Sequence, residues 1–130
     1  LLSAARLNNT ELMEQLISEV GDHEVLADLI NNCVDLLGNT SLHLASKYGS
    51  YEVMDIILDQ EGVEVDPVNS IEGNTPLHVA VQYSKEEPEH GCFIIETLVD
   101  AGADPKLKNK AGLKPIDLVD SNNEEYEKII

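Results

Sequence analysis

The residues able to do chemistry are four histidines, two cysteines and 25 acids, and their spacing argues against most of what such groups can do. His43 and His78 each stand inside a stretch that occurs nearly twice. It reads Gly38-Asn39-Thr40-Ser41-Leu42-His43-Leu44-Ala45 and, 35 residues on, Gly73-Asn74-Thr75-Pro76-Leu77-His78-Val79-Ala80. An imidazole could serve as a general base or a metal ligand, but a lone ring on a packed face is more often a satisfied core group. His90-Gly91-Cys92 offers two adjacent ligands, and no others stand near at metal spacing. Neither a glycine-rich phosphate loop nor a nucleophile motif is present. Carboxylate pairs are so common in this chain that no single pair is informative. An enzyme is therefore the weakest expectation, and no metal or cofactor is expected.

The duplicated stretch matters more as a pattern than as a pair of histidines. Six of its eight positions are identical between the copies. Self-similarity at a spacing of about 20 to 50 residues marks a repeat architecture. The stretch resembles the Thr-Pro-Leu-His-x-Ala signature of ankyrin repeats, and the resemblance extends over nearly the whole chain. It implies an all-α solenoid of stacked helix-turn-helix units joined by hairpin turns, each of about 33 residues. One domain over 1–130 follows, with repeats at about 1–33, 36–70, 71–109 and 110–130.

The elements that must carry the signature can be followed along the chain. After Ala45, Gly49 closes a short helix, and Val53, Ile56 and Ile57 take the i, i+3, i+4 spacing of a second. The return loop 59–72 is two residues longer than the family norm. The third copy ends Leu98-Val99-Asp100-Ala101-Gly102-Ala103-Asp104, where Gly102 supplies the positive φ that stops a helix. The fourth copy begins at Gly112, 39 residues after Gly73, so the third carries six extra residues within 84–92. Pro88 and the acids Glu86, Glu87 and Glu89 predict a loop there. The first copy is degenerate. Its Leu12 and Leu16 match Val53 and Ile57, and the long segment 18–37 that follows keeps helical spacing at Val25, Leu26, Leu29 and Ile30, which predicts a short extra helix.

The resemblance also assigns roles. Thr40 and Thr75 would cap the first helices through their hydroxyls, and Pro76 would occupy a first helical turn, with Ser41 in its place one repeat earlier. Leu42, Leu77 and Ile116 would be core. His43 and His78 would tie neighbouring hairpins by hydrogen bonds. Partners would bind the concave surface made of hairpin tips and the open side of each first helix. Those positions are Leu36, Leu37 and Asn39, then Ile71, Glu72 and Asn74, then Lys110, Ala111 and Leu113 at the tips. On the first helices they are Arg6, Leu7, Lys47, Tyr48, Gln82, Tyr83, Ser121 and Asn122. Tyr48 and Tyr83 hold equivalent places and should stand side by side, either as interface anchors or as spacers packed between helices. Leu36, Leu37 and Ile71 are apolar where turns are usually polar, which marks a contact patch unless the segment 18–37 folds over them.

Composition narrows the partner. The net charge of −17 and pI of about 4.3 exclude nucleic acid and anionic membranes as favoured targets and favour a basic protein. The charge is uneven: 1–105 hold three cations against 20 acids, whereas 106–130 hold five of each. Much of the negative charge falls on second helices, at Glu11, Glu14, Glu52, Asp55, Asp59, Glu96 and Asp100, where it can be a solvated outer shell. The acidic segment 86–89 is a separate candidate contact. No apolar run reaches the roughly 18 to 20 residues needed to cross a bilayer. Cys33 and Cys92 are read as buried free thiols in a reducing compartment, hence cytoplasm or nucleus. The chain begins at Leu1 without Met, as a piece trimmed from a longer protein would. The expected function is a monomeric protein-binding scaffold. The alternatives are an acidic escort for a basic protein, such as a ribosomal protein or histone, and a non-catalytic regulatory part of a larger enzyme.

Overall fold

A computed structural model describes residues 1–119; the remaining residues 120–130, with the expected contact positions Ser121 and Asn122, lie outside the described part. Helices α1 (Leu2–Leu7), α2 (Thr10–Val20), α3 (His23–Asn32), α4 (Ser41–Tyr48), α5 (Tyr51–Leu58), α6 (Pro76–Ser84) and α7 (Pro88–Asp100) are followed by a 3-10 turn at Pro115–Leu118. The described residues contain no strand, so the fold is the expected all-α solenoid. First helices α1, α4 and α6 stack on one another in series, with the 3-10 turn beyond α6, while α2, α5 and α7 pack behind them.

Local sequence sets each boundary. Thr40 and Thr75 are N-caps in extended conformation, and Pro76 opens α6 where a missing N–H costs nothing. Gly49 adopts φ 66° at the end of α4, and Gly102 takes φ 102° after α7. Asn8, at φ 51°, ends α1 and then reaches into the next repeat: it accepts from Val53 N at 3.0 Å and donates to Glu52 Oε2 at 2.6 Å. Asp22 caps the extra helix α3, which forms where the spacing predicts it. Asn31 of α3 accepts from Glu64 N and donates to the Gly62 carbonyl, so α3 is fastened to the return loop of the following repeat.

The core is aliphatic. Ala4, Ala5, Ala45 and Ala80 let the first helices approach closely, and the triplets Val53, Met54, Ile57 and Ile94, Ile95, Leu98 fill the space behind them. Three expectations change. In α2 the buried residue is Met13, while Leu12 is exposed and Leu16 only half-buried, so the apolar stripe is rotated by one position. Cys33 and Cys92 are half-buried, not buried.

The third change concerns the insertion. Residues from Pro88 onward are not a loop but the first turn of α7, because proline is favoured at the first helical position. Only 85–87 link α6 to α7. Gly91 permits this arrangement: a Cβ there would lie 2.3 Å from Ser84 Cα, so α6 and α7 touch through backbone.

Candidate functional site: the hairpin ladder and the groove beside it

Each hairpin is closed by one Asp or Asn. Asp35 Oδ1 accepts from Leu37 N and Asn39 N, Asn69 Oδ1 accepts from Asn74 N, and Asn109 Oδ1 accepts from Ala111 N and Leu113 N. The hairpins are then laced to one another. Ser70 N donates to the Leu37 carbonyl at 2.9 Å and Lys110 N to the Glu72 carbonyl at 3.0 Å. Beside these run two amide links, Asn69 Nδ2 to Asn39 Oδ1 at 3.0 Å and Asn109 Nδ2 to Asn74 Oδ1 at 2.9 Å. Asn39 and Asn74, expected at the tips, are buried by this ladder, and their side chains are engaged within it. The paired asparagines were legible in the sequence only as members of the repeat, because Asn69 and Asn109 fall outside the signature.

The histidines complete the lacing. His43 Nδ1 accepts from Thr40 N at 3.1 Å, which leaves Nε2–H to donate to the Asn74 carbonyl at 2.6 Å. His78 repeats the arrangement, with Thr75 N at 3.1 Å and the Leu113 carbonyl at 2.8 Å. Burial pushes both imidazoles below the usual histidine range. Both nitrogens of each ring are engaged in the neutral tautomer, so neither ring has a lone pair or proton to offer a substrate. Among the described residues, no group of three or more His, Cys, Asp or Glu is arranged to hold a metal.

A groove of about 600 Å³ lies beside the ladder, between the hairpin tips and the first helices. It gathers Leu37, Lys47, Tyr48, Ile71, Glu72, Gln82 and Tyr83 from the expected contact set, with Asn39 in its floor. Leu36, Lys110 and Leu113 are exposed but stand outside it, and Asn74 is buried behind it. The extra helix does not cover the tips: Leu36 is fully exposed, and Leu37 and Ile71 are 48% and 66% exposed. Val79 and Asn69, which the sequence did not single out, line the groove too, as does Glu86 of the acidic segment expected to be a separate contact. Glu86 enters because the shortened α6–α7 link brings it to the rim. Arg6 stands 4.0 Å from Asp35 and holds its carboxylate at the neighbouring hairpin.

The two tyrosines share the groove but not a role. Tyr48 is half-exposed, with Lys47 Nζ 5.6 Å from its ring centroid. Tyr83 is wedged between repeats. Its ring meets His90 edge-on at 6.1 Å, and a Cβ at Gly49 would lie 2.3 Å from its hydroxyl. Burial, aided by the carboxylates of Glu87 and Glu86, raises its phenol above the usual range. His90 also bonds the Gly49 carbonyl at 2.7 Å, so the acidic insertion is docked against the preceding repeat.

Helix pairs stacked in register, with hairpins laced by histidine and asparagine, define a helical repeat solenoid. A family model of ankyrin repeats, in three copies, matches residues 1–109, and the chain belongs to the ankyrin repeat family. It is 52% identical over 132 residues to an ankyrin repeat-containing protein of Saccharomyces cerevisiae, covering all of this chain and 72% of that protein. It is 33% identical over 127 residues to a putative ankyrin repeat protein of fowlpox virus, covering 95% of this chain and 33% of the viral one. It is 36% identical over 85 residues to protein phosphatase 1 regulatory subunit 12A of Mus musculus, covering 65% of this chain but 8% of that subunit. Ankyrin repeats generally mediate protein–protein interaction and are generally non-catalytic. No helix among the described residues is long and apolar enough to cross a membrane.

Proposed function

We propose that this chain is a protein-binding scaffold that seats a partner in the groove beside the hairpin ladder. The observation that carries this reading is the convergence of the exposed Ile71 and Leu37 tips with Tyr48 on one concavity of about 600 Å³. Exposed apolar tips with no structural use are costly to keep unless something covers them, and tyrosine is a favoured anchor. The groove holds Lys47 against Glu72 and Glu86, so its charge is mixed and its partner is selected by shape and apolar contact more than by sign. The scaffold acts as a monomer, and two cysteines in 130 residues suit cytoplasm or nucleus.

The test uses the chain as bait with Tyr48→Ala plus Ile71→Ser, both exposed positions whose loss leaves the ladder intact. A protein recovered by the wild type and lost by the double variant supports the groove. Equal recovery by two variants that melt alike would move the binding site elsewhere. A second reading, an escort for a basic protein, draws on the net charge of −17. Its complex would weaken steeply between about 0.1 and 0.5 M salt, where screening shortens from roughly 10 Å towards 4 Å.

A further inference from the structure

The second helices present a groove of their own. Tyr51 of α5 and Phe93 of α7 stack across the repeat boundary with ring centroids 4.3 Å apart and planes 29° from parallel. Phe93, the only phenylalanine of the chain, keeps 45% of its surface in solvent although the core beside it is well filled with aliphatic side chains. Asp55, Asp59, Glu96 and Asp100 line the same concavity, which has a volume of about 340 Å³. All four carboxylates are exposed, and no lysine, arginine or histidine is among the lining residues.

The arrangement has a regular origin. Asp55 and Asp59 hold the same places relative to the buried triplet Val53, Met54, Ile57 that Glu96 and Asp100 hold relative to Ile94, Ile95, Leu98. Two rungs of carboxylates therefore flank one aromatic step. The groove shares no residue with the one beside the hairpins.

We propose that this second groove docks an arginine-bearing basic segment of a partner protein. A guanidinium is planar, so it can lie on the open aromatic step while its N–H groups fork to a carboxylate on either side. Charge complementarity selects the occupant: four formal negative charges face an apolar ring that neither an anion nor a neutral apolar helix would satisfy. The ring packs on Tyr51 and meets His90 edge-on at 6.5 Å, yet nearly half of it stays open beside the carboxylates. The proposal is independent of the hairpin-side groove, since either surface can be altered without touching the other.

The experiment measures binding of a fluorescent nine-residue peptide containing four arginines to the 130-residue chain. Three variants are compared: Phe93→Ala, Glu96→Gln with Asp100→Asn, and a control, Glu24→Gln with Glu61→Gln, that removes two exposed charges elsewhere. Phe93→Ala is expected to weaken binding about threefold to tenfold, the range of a partly desolvated cation–π contact. The Glu96/Asp100 variant should weaken it at least as much and the control less than twofold. If the control loses as much as the Glu96/Asp100 variant, attraction is only by net charge and the proposal falls. It falls equally if Phe93→Ala, shown to be folded by its helical circular dichroism, binds as the wild type does. The Glu96/Asp100 variant alters only exposed groups and keeps the test decisive should Phe93→Ala unfold. Tyr48→Ala should leave this peptide's binding unchanged, which separates failure here from failure of the hairpin-side groove.

Discussion

Thr40 is the cap of α4 and Ser41 its first residue, and the two are unequally served: the Thr40 hydroxyl is within 3.0 Å of His43 Nδ1, whereas the fully buried Ser41 hydroxyl meets no hydrogen-bond partner among the described residues. One repeat on, Thr75 is followed by Pro76, which has no hydroxyl to satisfy. Thr40 has ψ 175°, the extended conformation a following proline demands.

Ser41→Pro should therefore stabilise the protein. It removes an unpartnered buried hydroxyl and pre-sets the backbone at a first helical position. A gain of about 1 kcal/mol is expected. Urea denaturation followed by circular dichroism measures it; a loss of stability would mean that the ring does not fit against the neighbouring repeat.

Gly91→Ala should do the reverse. The added methyl would meet Ser84 Cα at 2.3 Å, and backbone cannot rotate away as a side chain can. A cost of roughly 1 to 3 kcal/mol is expected from overpacking. The same denaturation curve checks it, and an unchanged midpoint would show that the start of α7 can lift off α6 freely.

Tyr48 and Tyr83 should separate by stability. Tyr48→Ala, at an exposed position, should stay within about 0.5 kcal/mol of wild type. Tyr83→Phe leaves the ring against His90 and should cost little, while Tyr83→Ala should cost about 2 to 4 kcal/mol by opening the gap between Gly49 and His90. Thermal melts of the three variants would show it.

Stability should decline as pH falls from 7.5 towards 5.5. His43 and His78 have pKa values depressed by burial, so the unfolded chain binds protons that the folded one refuses. Their contribution is complete above the unfolded histidine value of about 6.5 and is lost as pH drops below it. The Asp35 and Glu52 carboxylates, held below their usual values in the folded state, begin to lose their contribution only at lower pH. For Asp35 the accepted hydrogen bonds from Asn39 and Leu37 outweigh the opposing effect of burial; for Glu52 the Asn8 amide is the main cause. Melting temperatures across this range are the measurement, and His78→Asn should flatten the slope.

The fold was legible because repetition is a property of sequence: Gly38–Ala45 and Gly73–Ala80 laid over each other show the repeat, and the family resemblance they carry implies the caps, core leucines and histidine roles. Three things were not. Pro88 reads as a helix breaker unless the helix begins there, and only the packing of Gly91 on Ser84 shows that it does. Asn39 and Asn74 read as tips because their partners Asn69 and Asn109 lie 30 and 35 residues away. Tyr48 and Tyr83 looked equivalent because their repeats are; the insertion that supplies His90 made them different.

The histidine links also give the stack a direction. Each imidazole donates to a carbonyl of the hairpin that follows it in the chain, so a repeat is finished by its successor and not by its predecessor. The fourth hairpin has no histidine of its own, yet its Leu113 carbonyl and Asn109 amide answer the donor of His78 and the acceptor of Asn74. Removing that hairpin would hand two hydrogen bonds of the third repeat over to water, each at a net cost of about 0.5 to 1.5 kcal/mol. The third repeat therefore leans on residues 109–113 for the partners of its own histidine and asparagine, and the dependence runs along the chain in one direction.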